Sequence, residues 1–282
     1  MLMTPVYYPM YFAVSRHNRK LVENKLVRTG DTYEIDFDDF EAKAKDPNTK
    51  LLILCSPHNP SGRVWRREEL ERIGRICMDN HVLVVSDEIH FDLISPGYKH
   101  IVFASICEEF AMNSITCTAP SKTFNLAGLI GSYHIIYNDW LRDRILKESS
   151  LSHYNSMNLL SMYALIGAYK LEGYEWVDEL KEVLSGNVNY ACDYIEKHFE
   201  GVNVSKPEGT YMLFLDCTEW CKKHGKTITE LQAAGIEVGV IWQDGVAFHG
   251  PCHIRMNLAL PLSRVKEAFD RLDKYVFNLQ EA

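Results

Sequence analysis

The chain predicts an α/β protein, built on a mainly parallel sheet, with a smaller α+β layer at its carboxyl end. Three observations carry this reading. Residues 50–56 and 82–88 are short, continuously apolar runs of the kind that form buried strands. Between them Leu70, Ile73, Ile76 and Cys77 recur at helical spacing within Arg66 to Asn80, which makes a βαβ unit. Beyond about residue 200, short strand-like runs and amphipathic helical patterns follow one another without long apolar runs.

Taken in order, Met1 to Val14 is apolar but contains Pro5 and Pro9, has no basic residues ahead of the apolar stretch, and is too short to cross a bilayer. It is therefore expected to be folded protein, neither signal nor anchor. Runs at 113–119 and 130–137 continue the sheet, and a helix over 138–149 is expected to be capped by Asn138 or Asp139. Residues 155–200 carry a helical pattern in which Gly173 and Gly186 are possible breaks. Strands are then expected at 202–205, 210–216, 236–241 and 253–259, with a helix around 227–234 and a last one from Pro261 to about Leu279. The expected division is a large domain over 1–175 and a small domain over 176–282, hinged near 170–185.

With 282 residues, 46% of them hydrophobic and 24% charged, the chain can bury a sizeable core. Its formal charge of -8 gives no electrostatic case for nucleic acid or an anionic membrane, so a small-molecule partner is expected. The eight cysteines include no CxxC pair and are spread through strand and helix patterns, which fits buried free thiols and a reducing cytoplasm better than disulfides or zinc.

The chemistry is concentrated in three residues placed at strand ends. Asn59 follows the run Leu51 to Cys55, Asp87 follows Val82 to Ser86, and Lys122 follows Ser114 to Thr118. In an open parallel sheet such carboxyl ends converge on the ligand crevice. Pyridoxal 5'-phosphate (PLP) needs an amine to hold its aldehyde, an anion to keep its ring nitrogen protonated and a neutral donor near its phenolic oxygen; lysine, aspartate and asparagine meet these needs in turn. Asp87 alone reads first as a helix cap, with a metal site using Asp87, His90 and Asp92 as the competing functional reading. A metal site, however, would explain neither the lysine nor the asparagine. Ser121-Lys122-Thr123 has no glycine-rich cradle before it, which excludes a P-loop. Pro57 to Gly62 is rich in turn formers, and a tight loop there is compatible with a ligand contact. Arg255, on the alternating segment His253 to Leu258, is either a solvated strand arginine or a two-pronged clamp on a carboxylate. Tyr7 and Tyr8 are either core aromatics or rings against a cofactor.

In these segments the chain resembles fold-type I PLP enzymes, the aspartate aminotransferase superfamily, and within it the MalY/PatB-type carbon-sulfur lyases, or cystathionine β-lyases. The segments that carry the likeness are Thr4-Pro5-Val6-Tyr7, Pro57 to Gly62, Ser86-Asp87-Glu88-Ile89-His90, Ala119 to Gly128, and Arg255 to Pro261. The resemblance implies that Lys122 bonds the cofactor aldehyde, Asp87 pairs with the ring nitrogen, Asn59 bonds the phenolic oxygen and Tyr7 stacks on the ring. It further implies Ser121 and His90 against the cofactor, with Arg255 and Tyr8 toward the substrate. His90 stands where many aminotransferases have a tyrosine, which favours the lyase branch. The implied activity is a β-lyase cleaving cystathionine or cysteine S-conjugates to pyruvate, ammonia and a thiol, in a cytoplasmic homodimer. A PLP-dependent aminotransferase, or a catalytically weak relative acting as a folded interaction module, is the alternative. Two departures from the pattern stand out. The stretch Phe248 to Arg255 is shorter and less glycine-rich than similar family segments. The family also carries a substantial segment ahead of Thr4-Pro5-Val6-Tyr7, with a phosphate-binding helix start and a tyrosine for the neighbouring subunit, so the large domain is expected to be incomplete here and its hold on PLP weak.

Overall fold

The computed structural model describes residues 1–154 and 156–278. The chain enters directly into the sheet: β1 (Leu2–Thr4) is buried throughout and is followed by α1 (Pro9–Arg16), whose first residue is a proline that suits the opening turn. Next come β2 (Glu23–Lys25), a hairpin of β3 (Val27–Thr29) and β4 (Thr32–Glu34), and α2 (Phe37–Ala44), capped by Asp36, which accepts from Asp39 N at 3.0 Å. The βαβ unit expected from the apolar runs is present as β5 (Leu51–Cys55), α3 (Arg67–Asp79) and β6 (Leu83–Asp87). It is followed by α4 (Glu108–Met112), β7 (Ser114–Thr118), the short α5 (Pro120–Thr123) and β8 (Tyr133–Ile135). The six strands order as β2-β1-β5-β6-β7-β8, all parallel except the last pair, β7 and β8.

The core beneath this sheet joins Leu52, Leu54, Val82 and Val84 to Leu70, Ile73 and Cys77 of α3, to Phe40 of α2, and to Phe103 and Phe110, whose rings stack at 5.2 Å. Gly74 lets α3 approach that stack: a Cβ there would lie 2.3 Å from the Phe110 ring.

Three helices follow: α6 (Asp139–Leu151), capped by Asn138, then α7 (Leu159–Ala168) and the long α8 (Leu171–His198). The last part contains β9 (Asn203–Val204), β10 (Met212–Asp216), α9 (Thr218–His224), α10 (Ile228–Glu237), β11 (Gln243–Asp244), β12 (His253–Asn257) and α11 (Leu262–Leu272), which runs on into a π-helical turn over Asp273–Phe277. Its four-stranded sheet, ordered β11-β12-β10-β9, is antiparallel throughout. A second core lies here, with Leu213, Leu215 and Ile254 packed against Ile195, Trp220 and Phe269.

Several expectations are corrected. The strand expected at 236–241 is absent: α10 continues to Glu237 under its Thr227/Glu230 capping box, and the strand that follows is β11, at 243–244. Gly173 and Gly186 break nothing, since both lie inside α8, where buried residues from Val177 to Ile195 hold the helix. No helix follows Asp87, so it is not a helix cap; a turn of chain occupies residues 89–92. The division expected after residue 175 is not among these corrections; α8 runs through that point, and residues 155 and 279 of the expected helical stretches lie outside the described residues.

Candidate active site

The site is set by strand register. Cys55, Asp87 and Cys117 lie side by side across β5, β6 and β7, so the connections that leave these strands begin at one level. Asn59 and Lys122 belong to the stretches of chain that leave β5 and β7 on either side of Asp87. The trio read from the sequence is therefore brought together at the carboxyl edge of the parallel sheet, with Asp87 in the middle.

Asp87 is partly buried, and burial is the main reason its carboxyl is pushed up to about 6, with the neighbouring Glu88 adding to the effect. Two influences oppose it, a hydrogen bond from Ile89 N at 3.3 Å and the charge of Lys122. Among the described residues no cation forms an ion pair with Asp87. Lys122, half-buried in α5, has neither an ion-pair nor a hydrogen-bond partner among the described residues. Its helix is tied to the Asp87 turn by Thr123, which donates to Asp92 at 3.0 Å. Ser121 lies beside Lys122, half-buried, with its hydroxyl bonded to no described residue.

His90 is fully enclosed, and burial together with the Lys122 and Arg255 charges pulls it down to about 3, so its ring is neutral. Its Nδ1 is a buried polar atom without a partner among the described residues, and the ring packs edge-on against Tyr211 at 5.8 Å. Asn59 is buried, and its Oδ1 accepts from Arg255 Nη1 at 3.2 Å while its amide Nδ2 donates to no described residue. Arg255 stands on β12 with its guanidinium over the Phe248 ring at 4.6 Å, and a second hydrogen bond runs from Nη2 to Gln243. Tyr7 is half-buried, with its hydroxyl raised by burial and by Tyr8, and it feels both Arg255 and Asp87. Tyr8 sits one step further out, against Tyr7 at 5.4 Å and Phe248 at 5.7 Å.

Asn59, Asp87, His90, Lys122, Arg255 and Tyr7 thus cluster at the carboxyl edge of the sheet, and Tyr8 lies against Tyr7 and Phe248 within electrostatic reach of Arg255. Sequence reasoning missed Gln243, Phe248, Tyr211 and the Asp92–Thr123 tie. Only the pairing of β10, β11 and β12, which sets Gln243 opposite Arg255, reveals the first of these. No group of three or more His, Cys, Asp or Glu side chains among the described residues is placed to hold a metal ion, so Asp87, His90 and Asp92 do not form one.

The residues present fit PLP. A recessed carboxyl with no cation of its own, an unpaired amine beside it, a free amide donor and an unsatisfied imidazole nitrogen are complementary to a cationic ring bearing an aldehyde and a phenolic oxygen.

Comparison with known proteins places the same pattern in a wider set. Residues 1–272 match the family model described as aminotransferase class I and II. Cystathionine β-lyase PatB of Bacillus subtilis is 37% identical over 271 residues, covering 95% of this chain and 69% of PatB. Among solved structures, PLP-containing cystalysin from Treponema denticola superposes with a TM-score of 0.91 at 37% identity, over 99% of this chain and 70% of cystalysin. The PLP-bound C-S lyase from Staphylococcus hominis gives 0.89 at 34% identity, over 98% of this chain and 69% of that one.

Proposed function

Because the chain belongs to the aminotransferase class I and II family, an enzyme family of fold type I whose solved relatives carry PLP, we propose that it is a PLP-dependent carbon-sulfur β-lyase acting on cystathionine or cysteine S-conjugates. The observation that carries this reading is Asp87, a carboxyl raised by burial, standing beside an unpaired Lys122 with neutral His90 close by.

Bound PLP supplies a protonated, electron-withdrawing ring. The protein's residues supply the rest. Lys122 Nζ would hold the cofactor aldehyde and, as a free amine, would stand as the base for the substrate α-proton. Asp87 keeps its charge against the ring nitrogen, where a facing cation reverses the penalty that burial imposes on a lone carboxylate. Asn59 Nδ2 donates toward the phenolic oxygen, Tyr7 and Ser121 bound the ring and its surroundings, and Arg255 grips the α-carboxylate on a guanidinium already oriented by Phe248 and Gln243. Tyr8 backs the carboxylate side through Phe248. With the carboxylate and amine fixed, loss of the α-proton would let its electron pair form a Cα=Cβ bond as the Cβ–S bond breaks with its own pair on sulfur, releasing a thiolate, and hydrolysis of the resulting enamine would give pyruvate and ammonia. Neutral His90 adds no second positive charge beside Lys122.

We place the enzyme in the cytoplasm as a homodimer. Eight free thiols suit a reducing compartment, and among the described residues no helix is long and apolar enough to cross a membrane. Exposed Leu159, Tyr163 and Ile166 recur at helical spacing on α7 and give that helix an apolar stripe suited to a second copy. The decisive assay supplies cystathionine with excess PLP and no keto acid. Pyruvate release supports the lyase; amine transfer that requires an added keto acid, without pyruvate from cystathionine, replaces it with an aminotransferase.

A further inference from the structure

The connection that carries Asn59 is fastened to the distant segment Pro207 to Thr210 by an unusually dense set of bonds. Arg63 donates to both oxygens of Glu208, at 2.8 and 3.0 Å, and to Glu69 of α3 at 2.7 Å, with all three side chains buried or nearly so. Glu208 also accepts from Val64 N at 2.8 Å, and Gly62 O accepts from Glu208 N and Gly209 N at 2.9 and 3.0 Å. On its other side the same segment bonds to the chain that follows the Asp87 turn, with Ser95 N donating to Glu208 O at 3.0 Å and Thr210 N to Leu93 O at 2.7 Å. Thr210 leads into β10, whose Phe214 pairs with Arg255 on β12. The Arg63 cluster therefore lies where the connections bearing Asn59 and Asp87 meet the strand pair bearing Arg255.

Apolar packing could hold these parts together as firmly, because buried ion pairs are poor sources of stability; an arginine whose Nη1 meets Glu208 while its Nη2 meets Glu69 instead fixes one geometry. We propose that Arg63 and Glu208 are positioning residues for substrate recognition, clamping the Asn59 loop to the β10–β12 strands and so setting how Asn59 meets the Arg255 guanidinium. This rests on the reading of Arg255 as the carboxylate grip given above.

The test uses the PLP-loaded chain and its Glu208→Gln variant, which keeps the side-chain shape and an acceptor for Val64 N while removing the charge. Loss of the clamp is expected to raise KM for cystathionine about tenfold with kcat changed less than about threefold, since uniform binding is lost and chemistry is not. Combined with Arg255→Lys, the two KM effects should multiply to less than their product, because both act on one contact. Hydrogen exchange of the cofactor-free chain gives an independent reading: residues 57–64 and 253–257 should exchange faster in Glu208→Gln. Arg63→Lys, which keeps the charge but loses the fork, serves the same tests should Glu208→Gln fold poorly. Wild-type exchange in both segments, or an unchanged KM in the clamp variant while Arg255→Lys raises it, overturns the proposal. An unchanged KM in Arg255→Lys, with faster exchange in Glu208→Gln, overturns the reading of Arg255 and the recognition role built on it.

Discussion

Replacing Asp87 by asparagine should make the cofactor-free chain more stable at neutral pH while removing its activity. In the unfolded chain the carboxyl titrates at its ordinary value of 3.8; in the fold, burial raises this to about 6. The native state therefore binds the proton more tightly than the unfolded state, so stability from this group is fully present below 3.8 and is lost as pH rises through 6. The difference corresponds to about 3 kcal/mol, and since Asp87 retains some opening to solvent we expect about 2 kcal/mol above pH 7. Asparagine keeps an acceptor for Ile89 N and carries no charge to desolvate. After removal of PLP, Asp87→Asn should melt about 5 °C above wild type at pH 7.5 and level with it at pH 4. Urea or thermal unfolding of the two proteins at both pH values decides the matter. Equal stability at pH 7.5, or a gain that is the same at pH 4, would show that Asp87 is not an uncompensated buried charge, and the reasoning that links it to a cationic ring would fail.

Three further outcomes follow from the same geometry. Arg255→Lys should raise KM for cystathionine more than it lowers kcat, by about tenfold or more, because lysine keeps the charge but cannot hold Asn59, Gln243 and a carboxylate in one plane; steady-state kinetics with an unchanged KM would return Arg255 to a solvated strand residue. Asp87→Asn saturated with PLP should lose most pyruvate release while keeping the cofactor, and near-wild-type turnover would refute its role at the ring nitrogen. Gly62→Ala should cost about 2 to 4 kcal/mol of stability by urea unfolding, since Gly62 has φ +73° and a Cβ there would lie 2.3 Å from Pro207 Cβ; a loss below about 0.5 kcal/mol would show that the loop is not held as tightly as its contacts indicate.

How far the sequence discloses this protein depends on whether a residue's role is local. Asn59, Asp87 and Lys122 are legible because each sits at the end of an apolar run, and parallel register alone brings such ends together. The β5-α3-β6 unit is legible for the same reason, its helix being defined by apolar spacing. The strand expected at 236–241 misleads because Ile236, Val238, Val240 and Ile241 have strand-forming side chains, yet the capping box at Thr227 starts a helix that consumes the first of them. Gly173 and Gly186 mislead because packing along α8 outweighs a glycine's local preference. Gln243, Phe248 and Glu208 are invisible in the sequence, since what gives each its place is a partner more than a hundred residues away or a neighbouring strand. Similarly, only the fold sets Tyr7 near both Asp87 and Arg255, and Tyr8 against Phe248 and near Arg255.

Reductive trapping offers the plainest test of whether this cleft is a PLP site. The chain is incubated with PLP, reduced with borohydride, digested and mapped by mass spectrometry, with Lys122→Ala treated in parallel. Lys122 combines half-burial, freedom from any described ion pair and a place beside Asp87 and His90. The adduct should therefore fall on the peptide containing Lys122 and vanish in the Lys122→Ala protein; an adduct on another lysine with Lys122 unmodified would mean that the cleft at the sheet edge does not hold the cofactor.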